Sequence, residues 1–220
     1  MIIKSFSLNE LKKNQSNLFL LYGENEGQKE EIINKYILKG FNGEIIKYEE
    51  SQILDNKNDF FETCLNESLF NSKKIVLVSR VSSKLYDTIN ELLEKKLFDK
   101  KIIFNAGSLE KKSRIRQLFE KEKKLVCIPF YKDNNASLFK LASDFFKTNK
   151  VSISSQNINL IIEKCSGDRK NLQNEMNKIL NFSFKKNKIT KDEILKLVSS
   201  QEGENYFELI DLCLAMSHIK

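Results

Sequence analysis

Residues 18–33 read LFLLYGENEGQKEEII, in which a short apolar run is followed by a polar turn and then by a helical pattern. The run Leu18–Tyr22 is too short for a buried helix and Gly23 follows it directly, so it predicts a strand buried on both faces. A helix is predicted from about Gly27 to Leu38, because its apolar residues recur on one stripe. The stretch therefore predicts a strand, a glycine-containing loop and a helix in succession.

The alternation of apolar strands with amphipathic helices continues to Phe130. Four further strands are predicted at Gly43–Tyr48, Lys74–Ser79, Lys101–Ala106 and Leu125–Phe130. Strands that are apolar throughout and are separated by helices indicate right-handed crossovers and a parallel sheet covered on both sides. Residues 1–135 are therefore predicted to form a doubly wound α/β domain with five strands.

Only helical patterns follow Phe130. Amphipathic helices are predicted at Leu138–Phe146, Ile158–Cys165, Asp168–Phe182 and Ile194–Val198. Thr190 and Glu193 have the spacing of a capping box at the start of the last of these helices. Residues 136–203 are therefore predicted to form a small all-helical domain, and residues 204–220 read as the apolar start of a further helix.

The composition of the 220 residues limits the class of protein. The longest apolar runs are far shorter than the roughly 18 residues that a membrane-spanning helix needs, so a membrane protein is excluded and a cytoplasmic location is expected. Four well-separated cysteines and a single histidine predict neither a disulfide framework nor a metal site. The net charge of +7 comes mainly from lysines, and it permits nucleic-acid binding without indicating it.

The loop after the first strand lies where a doubly wound fold holds phosphate. Compared with the pattern G-x-x-x-x-G-K-[ST], it keeps Gly23 and Lys29, but Gln28 replaces the second glycine and Glu30 replaces the metal-binding hydroxyl. A side chain at the glycine position obstructs the approach of backbone N–H groups to phosphate, and the glutamates of the loop repel a triphosphate. We therefore expect a degenerate phosphate loop that does not bind ATP, with no cofactor and no intrinsic catalysis.

Other parts of a nucleotide-hydrolysing site are also altered. The third strand ends Val78-Ser79-Arg80 and offers no carboxylate for a metal ion. Asn105 and Arg169 take the places where nucleotide-hydrolysing relatives keep polar sensors. Without a phosphate cradle, we expect Asn105 to cap the next turn and Arg169 to lie on a solvated surface.

Four segments together resemble the delta subunit of the bacterial DNA polymerase III clamp loader. They are LFLLYGENEGQKEEII at 18–33, ESLFNSKKIVLVSRV at 67–81, IIFNAGSLEKKSRIRQLFEK at 102–121 and GDRKNLQNEMNKI at 167–179. The resemblance spans essentially the whole chain and is specific in combination. The sequence lacks the zinc-binding cysteine set of the related ATPase and delta-prime subunits, which favours delta among the loader subunits.

This resemblance implies an AAA+ type α/β domain, a helical lid domain and a third, helical collar domain of which residues 204–220 would be the first helix. It implies a subunit of the DNA-directed DNA polymerase (nucleotidyltransferase) holoenzyme, without ATPase activity of its own, that opens the sliding clamp for loading onto primed DNA. The implied partners are the sliding clamp (beta subunit), ATPase subunits of the tau/gamma type, a delta-prime type subunit and primed DNA in the assembled complex.

The resemblance further implies a hydrophobic wedge that binds the sliding clamp. The wedge corresponds to Leu69 and Phe70, preceded by Ser68, just before the third strand. Burial of two such side chains in a partner contributes about 3 to 6 kcal/mol before ordering costs. The neighbouring residues are polar, which favours exposure of the pair, whereas packing into the local core is the alternative for an apolar pair.

Two other functions stay open at the level of sequence. A P-loop NTPase with a divergent nucleotide site would depend on Lys29. A basic DNA-binding module would contact the DNA backbone, with an affinity that falls steeply as salt rises. The residues for such contacts are Lys111, Lys112, Arg114 and Arg116, or the cluster Lys185, Lys186 and Lys188.

Overall fold

The computed structural model describes residues 16–66, 73–95, 100–184 and 189–198. The chain divides into two compact units, with the division between Lys132 and Asp133. Across the described ranges, no helix is long and apolar enough to cross a membrane. The predicted collar helix at 204–220 lies outside the described residues.

The first unit contains a sheet of five parallel strands in the order β2-β3-β4-β1-β5. The strands are β1 (Leu18–Gly23), β2 (Glu44–Glu49), β3 (Lys74–Val81), β4 (Lys100–Ala106) and β5 (Leu125–Phe130). The predicted doubly wound α/β fold with five parallel strands is confirmed. The first strand lies between β4 and the edge strand β5, so the loop that follows β1 opens at the carboxyl end of the sheet beside the ends of these two strands.

The sheet is covered by short helices. They are α1 (Glu26–Ile32), which continues as a π-helix (Ile33–Leu38), α2 (Glu50–Asp55), α3 (Lys57–Leu65), a 3₁₀ turn (Ser83–Leu85) with α4 (Tyr86–Leu93), and α5 (Arg114–Lys121). The single helix predicted from Gly27 to Leu38 is thus α-helical in its first half and π-helical in its second. The helix α2 was not predicted from the apolar pattern.

Each face of the sheet has its own apolar core. Along β1, Leu18, Leu20 and Tyr22 belong to one cluster, whereas Phe19 and Leu21 belong to the cluster on the opposite face. The whole strand is buried, as a strand covered on both sides must be. Its short apolar run therefore contributes to both cores.

Three buried cysteines contribute to the apolar cores of the two units, Cys64 and Cys127 in the first and Cys165 in the second. Cys64, Cys127 and Cys165 are free thiols, whereas Cys213 lies outside the described residues. Burial raises the pKa of Cys64 and Cys127 to about 12 and that of Cys165 to about 11. These three thiols therefore stay protonated near neutral pH and serve as small apolar groups.

The second unit is helical in its described part. Its helices are α6 (Asn135–Thr148), α7 (Ser155–Lys164), α8 (Arg169–Ser183) and α9 (Lys191–Leu197). They share one apolar core that includes Phe146, Leu172 and Met176. The predicted capping box is present, because Thr190 and Glu193 exchange side-chain to backbone hydrogen bonds at the start of α9.

Candidate functional site

The degenerate phosphate loop packs directly against the end of β5. The backbone of Gly23 has a φ of 128°, and a Cβ atom at this position would lie 2.0 Å from the carbonyl oxygen of Phe130. The Gly23 N–H donates to the carbonyl oxygen of Gly107 at 2.9 Å. Glycine is therefore required at Gly23 by both the backbone conformation and the close approach of β5.

Asn25 uses its backbone and side chain to close the loop on the protein itself. Its N–H donates to the carbonyl oxygen of Phe130 at 3.4 Å, and its side-chain amide donates to that of Tyr131 at 3.1 Å. Its side-chain oxygen accepts from the N–H of Gln28 at 3.0 Å, and its carbonyl oxygen accepts from the N–H of Lys29 at 3.1 Å. A phosphate cradle needs such N–H groups turned toward the anion, but here protein oxygen atoms accept from them.

The side chain of Lys29 is completely buried. Its ammonium nitrogen lies 2.6 Å from a carboxylate oxygen of Glu26 and 2.8 Å from the carbonyl oxygen of Ala106 at the end of β4. In a phosphate loop this lysine reaches the phosphates of the nucleotide. Here the same charge is balanced by a glutamate of the loop.

Glu26 also contacts the residue in the first sensor position. The second carboxylate oxygen of Glu26 accepts a long hydrogen bond of 3.4 Å from the side-chain amide of Asn105. The side-chain oxygen of Asn105 is buried and finds no hydrogen-bond partner within the part of the chain that the structure describes. The sequence predicted that Asn105 caps the next turn. In the structure its side-chain amide donates to Glu26 instead.

The two replaced positions of the loop lie in the first turns of α1. Gln28 is half-buried and Glu30 is exposed. Neither provides a hydroxyl group for a metal ion, and the described ranges contain no group of three or more histidine, cysteine or acidic residues that could hold one. The geometry of the loop therefore favours a site that is closed by the loop's own hydrogen bonds and ion pair instead of by a nucleotide.

The second sensor position lies in the helical unit and is also engaged. Arg169 donates to both carboxylate oxygens of Asp133, at 3.1 and 3.0 Å, and both side chains are nearly buried. Asp133 accepts a further hydrogen bond of 2.6 Å from the hydroxyl of Ser137 in α6. The expectation of a solvated Arg169 is therefore wrong, because the arginine joins α8 to the start of α6.

The residues predicted for DNA contact lie before and within α5. Lys111, Lys112 and Arg114 are exposed. Lys112 lies 3.0 Å from Glu110, and the guanidinium of Arg114 lies over the ring of Tyr86 at 3.9 Å. These three cations are accessible to a polyanion, because such exposed ion pairs exchange readily with other partners.

Arg116 has a different environment from its neighbours. Its side chain is only 13% exposed, and it donates to Glu120 at 2.8 Å and to the carbonyl oxygen of Leu109 at 2.9 Å. Its guanidinium also lies 4.8 Å from the centre of the Tyr22 ring. These contacts favour a structural role for Arg116. The alternative basic cluster at 185–188 lies outside the described residues.

The predicted clamp-binding residues also lie outside the described residues, namely Ser68, Leu69 and Phe70. The structure describes the elements on both sides of them. Helix α3 ends at Leu65, and β3 begins at Lys74. Buried Lys100, at the start of β4, donates from its ammonium group to the carbonyl oxygen of Cys64 at 3.1 Å. Sequence analysis did not single out this lysine.

Comparison with known sequences finds a delta-subunit relative. The chain is 26% identical over 190 residues to the probable DNA polymerase III subunit delta of Rickettsia prowazekii. The match covers 84% of this chain and 57% of the relative, so the chain spans little more than half the relative's length. No protein-family model matches the chain.

Solved structures support the same assignment of fold. The Bacillus subtilis DNA clamp loader delta protein matches with a TM-score of 0.59 and 14% identity, over 94% of this chain and 65% of that one. The Thermotoga maritima RuvB Holliday junction branch migration motor matches with a TM-score of 0.51 and 11% identity, over 87% and 64% of the two chains. Domain III of the Thermotoga maritima replication initiation protein DnaA matches with a TM-score of 0.50 and 13% identity, over 88% and 89%.

These comparisons agree with the resemblance that the four sequence segments indicated. The fold is of the AAA+ type, and the resemblance to the delta subunit of the DNA polymerase III clamp loader is confirmed.

Proposed function

We propose that this chain is a clamp-loader subunit of the delta type, which binds the sliding clamp and stabilises its opened ring for loading onto primed DNA in the cytoplasm. Similarity over 190 residues to a delta subunit supports this proposal. The chain covers 57% of that relative, so the role of the complete relative enters here as part of the proposal.

The observation that carries the proposal is the closed phosphate loop. Lys29 is fully buried against Glu26, and the N–H groups of Gln28 and Lys29 donate to Asn25. An AAA+ unit with such a loop has no means of binding phosphate in the usual way. The energy for the loading cycle would therefore come from ATP on partner subunits, of the tau/gamma type, with a delta-prime type subunit completing the loader.

In this proposal the clamp contact is made by Leu69 and Phe70, with Ser68 beside them. The pair falls in the connection between α3 and β3. Two apolar side chains that enter a pocket of the clamp would act as an anchor of the interface, because a few large buried residues carry most of the energy of such contacts. Binding would favour the clamp conformation that accepts them, which is how a subunit without hydrolysis can act on the ring.

The proposal is tested by titrating the sliding clamp of the same organism into the chain by calorimetry. The variant Leu69→Ala/Phe70→Ala is expected to bind the clamp at least about 100-fold more weakly, since two anchor side chains are lost. Its thermal unfolding midpoint should stay close to that of the wild type.

A matched control truncates two apolar side chains that the structure places at the surface of the same unit. Ile45 is 42% exposed and Leu54 is 46% exposed. The variant Ile45→Ala/Leu54→Ala should keep the wild-type affinity for the clamp. Unchanged affinity in the Leu69→Ala/Phe70→Ala variant, or an equal loss in the control, would overturn the proposed contact.

A further inference from the structure

Glu26 carries a carboxylate that is held at both of its oxygen atoms. One oxygen lies 2.6 Å from the ammonium nitrogen of Lys29, and the other accepts a hydrogen bond of 3.4 Å from the side-chain amide of Asn105. Lys29 belongs to α1, whereas Asn105 belongs to β4 and lies 79 residues after Glu26 in the chain. Two donors from separate elements therefore converge on one carboxylate group.

The end of β4 holds both donors independently of Glu26. The ammonium group of Lys29 also donates to the carbonyl oxygen of Ala106 at 2.8 Å, and Ala106 directly follows Asn105. The strand itself pairs with β1 on one side and with β3 on the other. Because the strand fixes the ammonium group and the backbone of Asn105, the two donors should stay in place when the carboxylate is removed.

The orientation of the Asn105 side chain indicates that this place selects an anion. Its amide nitrogen is directed at Glu26, while its oxygen is buried and has no hydrogen-bond partner among the residues that the structure describes. A buried acceptor without a partner is unfavourable. The opposite orientation would set that oxygen against the carboxylate, and two acceptors repel each other. The negative charge of Glu26 therefore accounts for the way the amide points.

The cation and the anion of this pair differ in their exposure to solvent. The side chain of Lys29 is 0% exposed, whereas that of Glu26 is 59% exposed. Within the described ranges, only Glu26 brings a negative charge into contact with this ammonium group. A buried cation requires an opposite charge nearby, yet the group that provides it lies at the boundary with solvent. A dissolved anion can therefore reach the same place once the Glu26 side chain is shortened.

We propose that Lys29 and Asn105 form a binding site for one small oxyanion and that Glu26 occupies this site as an internal ligand. The site takes a group of carboxylate size. The N–H groups of Gln28 and Lys29, which a polyphosphate would require, already donate to Asn25. Glu26 is tethered beside the site at an effective concentration of about millimolar or higher, so it excludes dissolved anions. This inference concerns the loop alone and does not depend on binding of the clamp.

The test removes the internal ligand and offers a dissolved one. Glu26→Ala ends the side chain at its Cβ atom, and sodium formate is titrated at constant ionic strength while thermal unfolding is followed. The unfolding midpoint of Glu26→Ala should rise and saturate, by about 3 to 6 °C when formate is at about ten times its dissociation constant. The midpoint of the wild type should change by less than about 1 °C, because Glu26 already fills the site.

Two controls separate occupation of the site from a general effect of salt or charge. Glu24→Ala removes another acidic side chain of the same loop, whose ion pair with Lys132 is exposed, and it should respond to formate as the wild type does. Glu26→Ala/Lys29→Met lacks the cation of the site and should show no saturable rise. A rise in either control, or in the wild type, that equals the rise in Glu26→Ala would overturn the inference.

The remaining outcomes are also decisive. If the midpoint of folded Glu26→Ala does not respond to formate, no anion site exists and the inference fails, whereas the proposed function is tested separately by the clamp titration. Stronger stabilisation of Glu26→Ala by ATP than by formate would overturn the assignment to one small oxyanion. Folding of Glu26→Ala only in formate would support the site. Glu26→Ser replaces Glu26→Ala if the latter does not fold, and failure of both variants to fold even in formate would overturn the inference.

Discussion

Lys29 is a buried cation whose counter-ion is Glu26, a residue of the same loop. The carboxylate of Glu26 lies 2.6 Å from its ammonium nitrogen, three positions earlier in the chain. An ammonium group in the protein interior is unfavourable without an opposite charge. In a nucleotide-binding loop the phosphates provide that charge, whereas here Glu26 provides it permanently. The loop is therefore stable as it stands, and binding of a phosphate would have to displace a charge that is covalently attached.

Replacement of Glu26 by glutamine removes this charge and keeps the size of the side chain. We expect the free energy of unfolding to fall by about 1.5 to 3 kcal/mol, the range for a hydrogen bond to a charged group. The loss arises because the ammonium group of Lys29 stays buried and keeps only neutral partners such as the carbonyl oxygen of Ala106. Chemical denaturation followed by circular dichroism measures the change.

Glu24→Gln is the control, because Glu24 forms an exposed ion pair with Lys132 at 3.0 Å in the same loop region. Its removal should change the free energy of unfolding by less than about 0.5 kcal/mol. Equal effects of Glu24→Gln and Glu26→Gln would show that the charge on Glu26 does not have the role described.

The partners of single buried charges were the least predictable part of the site. Lys29 finds one acceptor at Glu26, which the sequence spacing suggests, and another at Ala106, which is distant in the chain. Arg169 was expected in solvent, yet it meets Asp133 within the helical unit. Such contacts depend on tertiary packing, and no local pattern encodes them.

At the scale of elements, the contact between the loop after β1 and the end of β5 depends on one glycine. Gly23→Ala would bring a Cβ atom to 2.0 Å from the carbonyl oxygen of Phe130, at a φ of 128° that L-residues rarely adopt. We expect the free energy of unfolding to fall by at least about 3 kcal/mol, or the variant to fail to fold, because both the backbone strain and the clash with the backbone of Phe130 must be relieved. Thermal unfolding of the purified variant measures it.

Gly107→Ala is the matched control in a neighbouring loop at the same edge. A Cβ atom there would meet nothing within 4 Å. The unfolding midpoint should therefore change little, because only the entropy of the unfolded chain is altered. Comparable destabilisation by the two variants would contradict a specific role for the close contact at Gly23.

The elements themselves differ in how well sequence predicts them. The five strands follow from their continuous apolar runs, because a parallel strand buried on both faces needs apolar residues throughout. The change from α1 to the π-helix Ile33–Leu38 was not predicted. Over six residues, the spacing of apolar side chains does not distinguish a π-helix from an α-helix. Helix α2 is only six residues long, which is too short for an apolar period to show.

For the molecule as a whole, the phosphate loop and the connection between α3 and β3 meet the same sheet at opposite ends of its strands. The phosphate loop follows β1 and lies at the carboxyl edge, whereas the connection from α3 enters β3 at the amino edge. Strands of six residues separate these edges by about 20 Å. The closed phosphate loop and the end of β3 that the connection enters therefore lie at opposite ends of the strands.

At this scale the sequence predicted the fold class and the resemblance to delta, because both rest on the order of buried strands and on whole segments. The clamp contact could be predicted only through the resemblance. Leu69 and Phe70 lie outside the described residues, and an apolar pair in a connection could equally pack inward. The hydrogen bonds of Lys100 to the carbonyl oxygens of Cys64 and Asn66 became visible only in the structure, because they join residues that are distant in the chain.

The most direct test of the proposed function is a calorimetric titration of the sliding clamp into the wild-type chain, with and without magnesium and ATP. Because the phosphate loop is closed by Glu26 and Asn25, we predict that the chain binds the clamp and that the dissociation constant is the same in both conditions. Absence of binding in both conditions, or binding that depends on ATP, would contradict it.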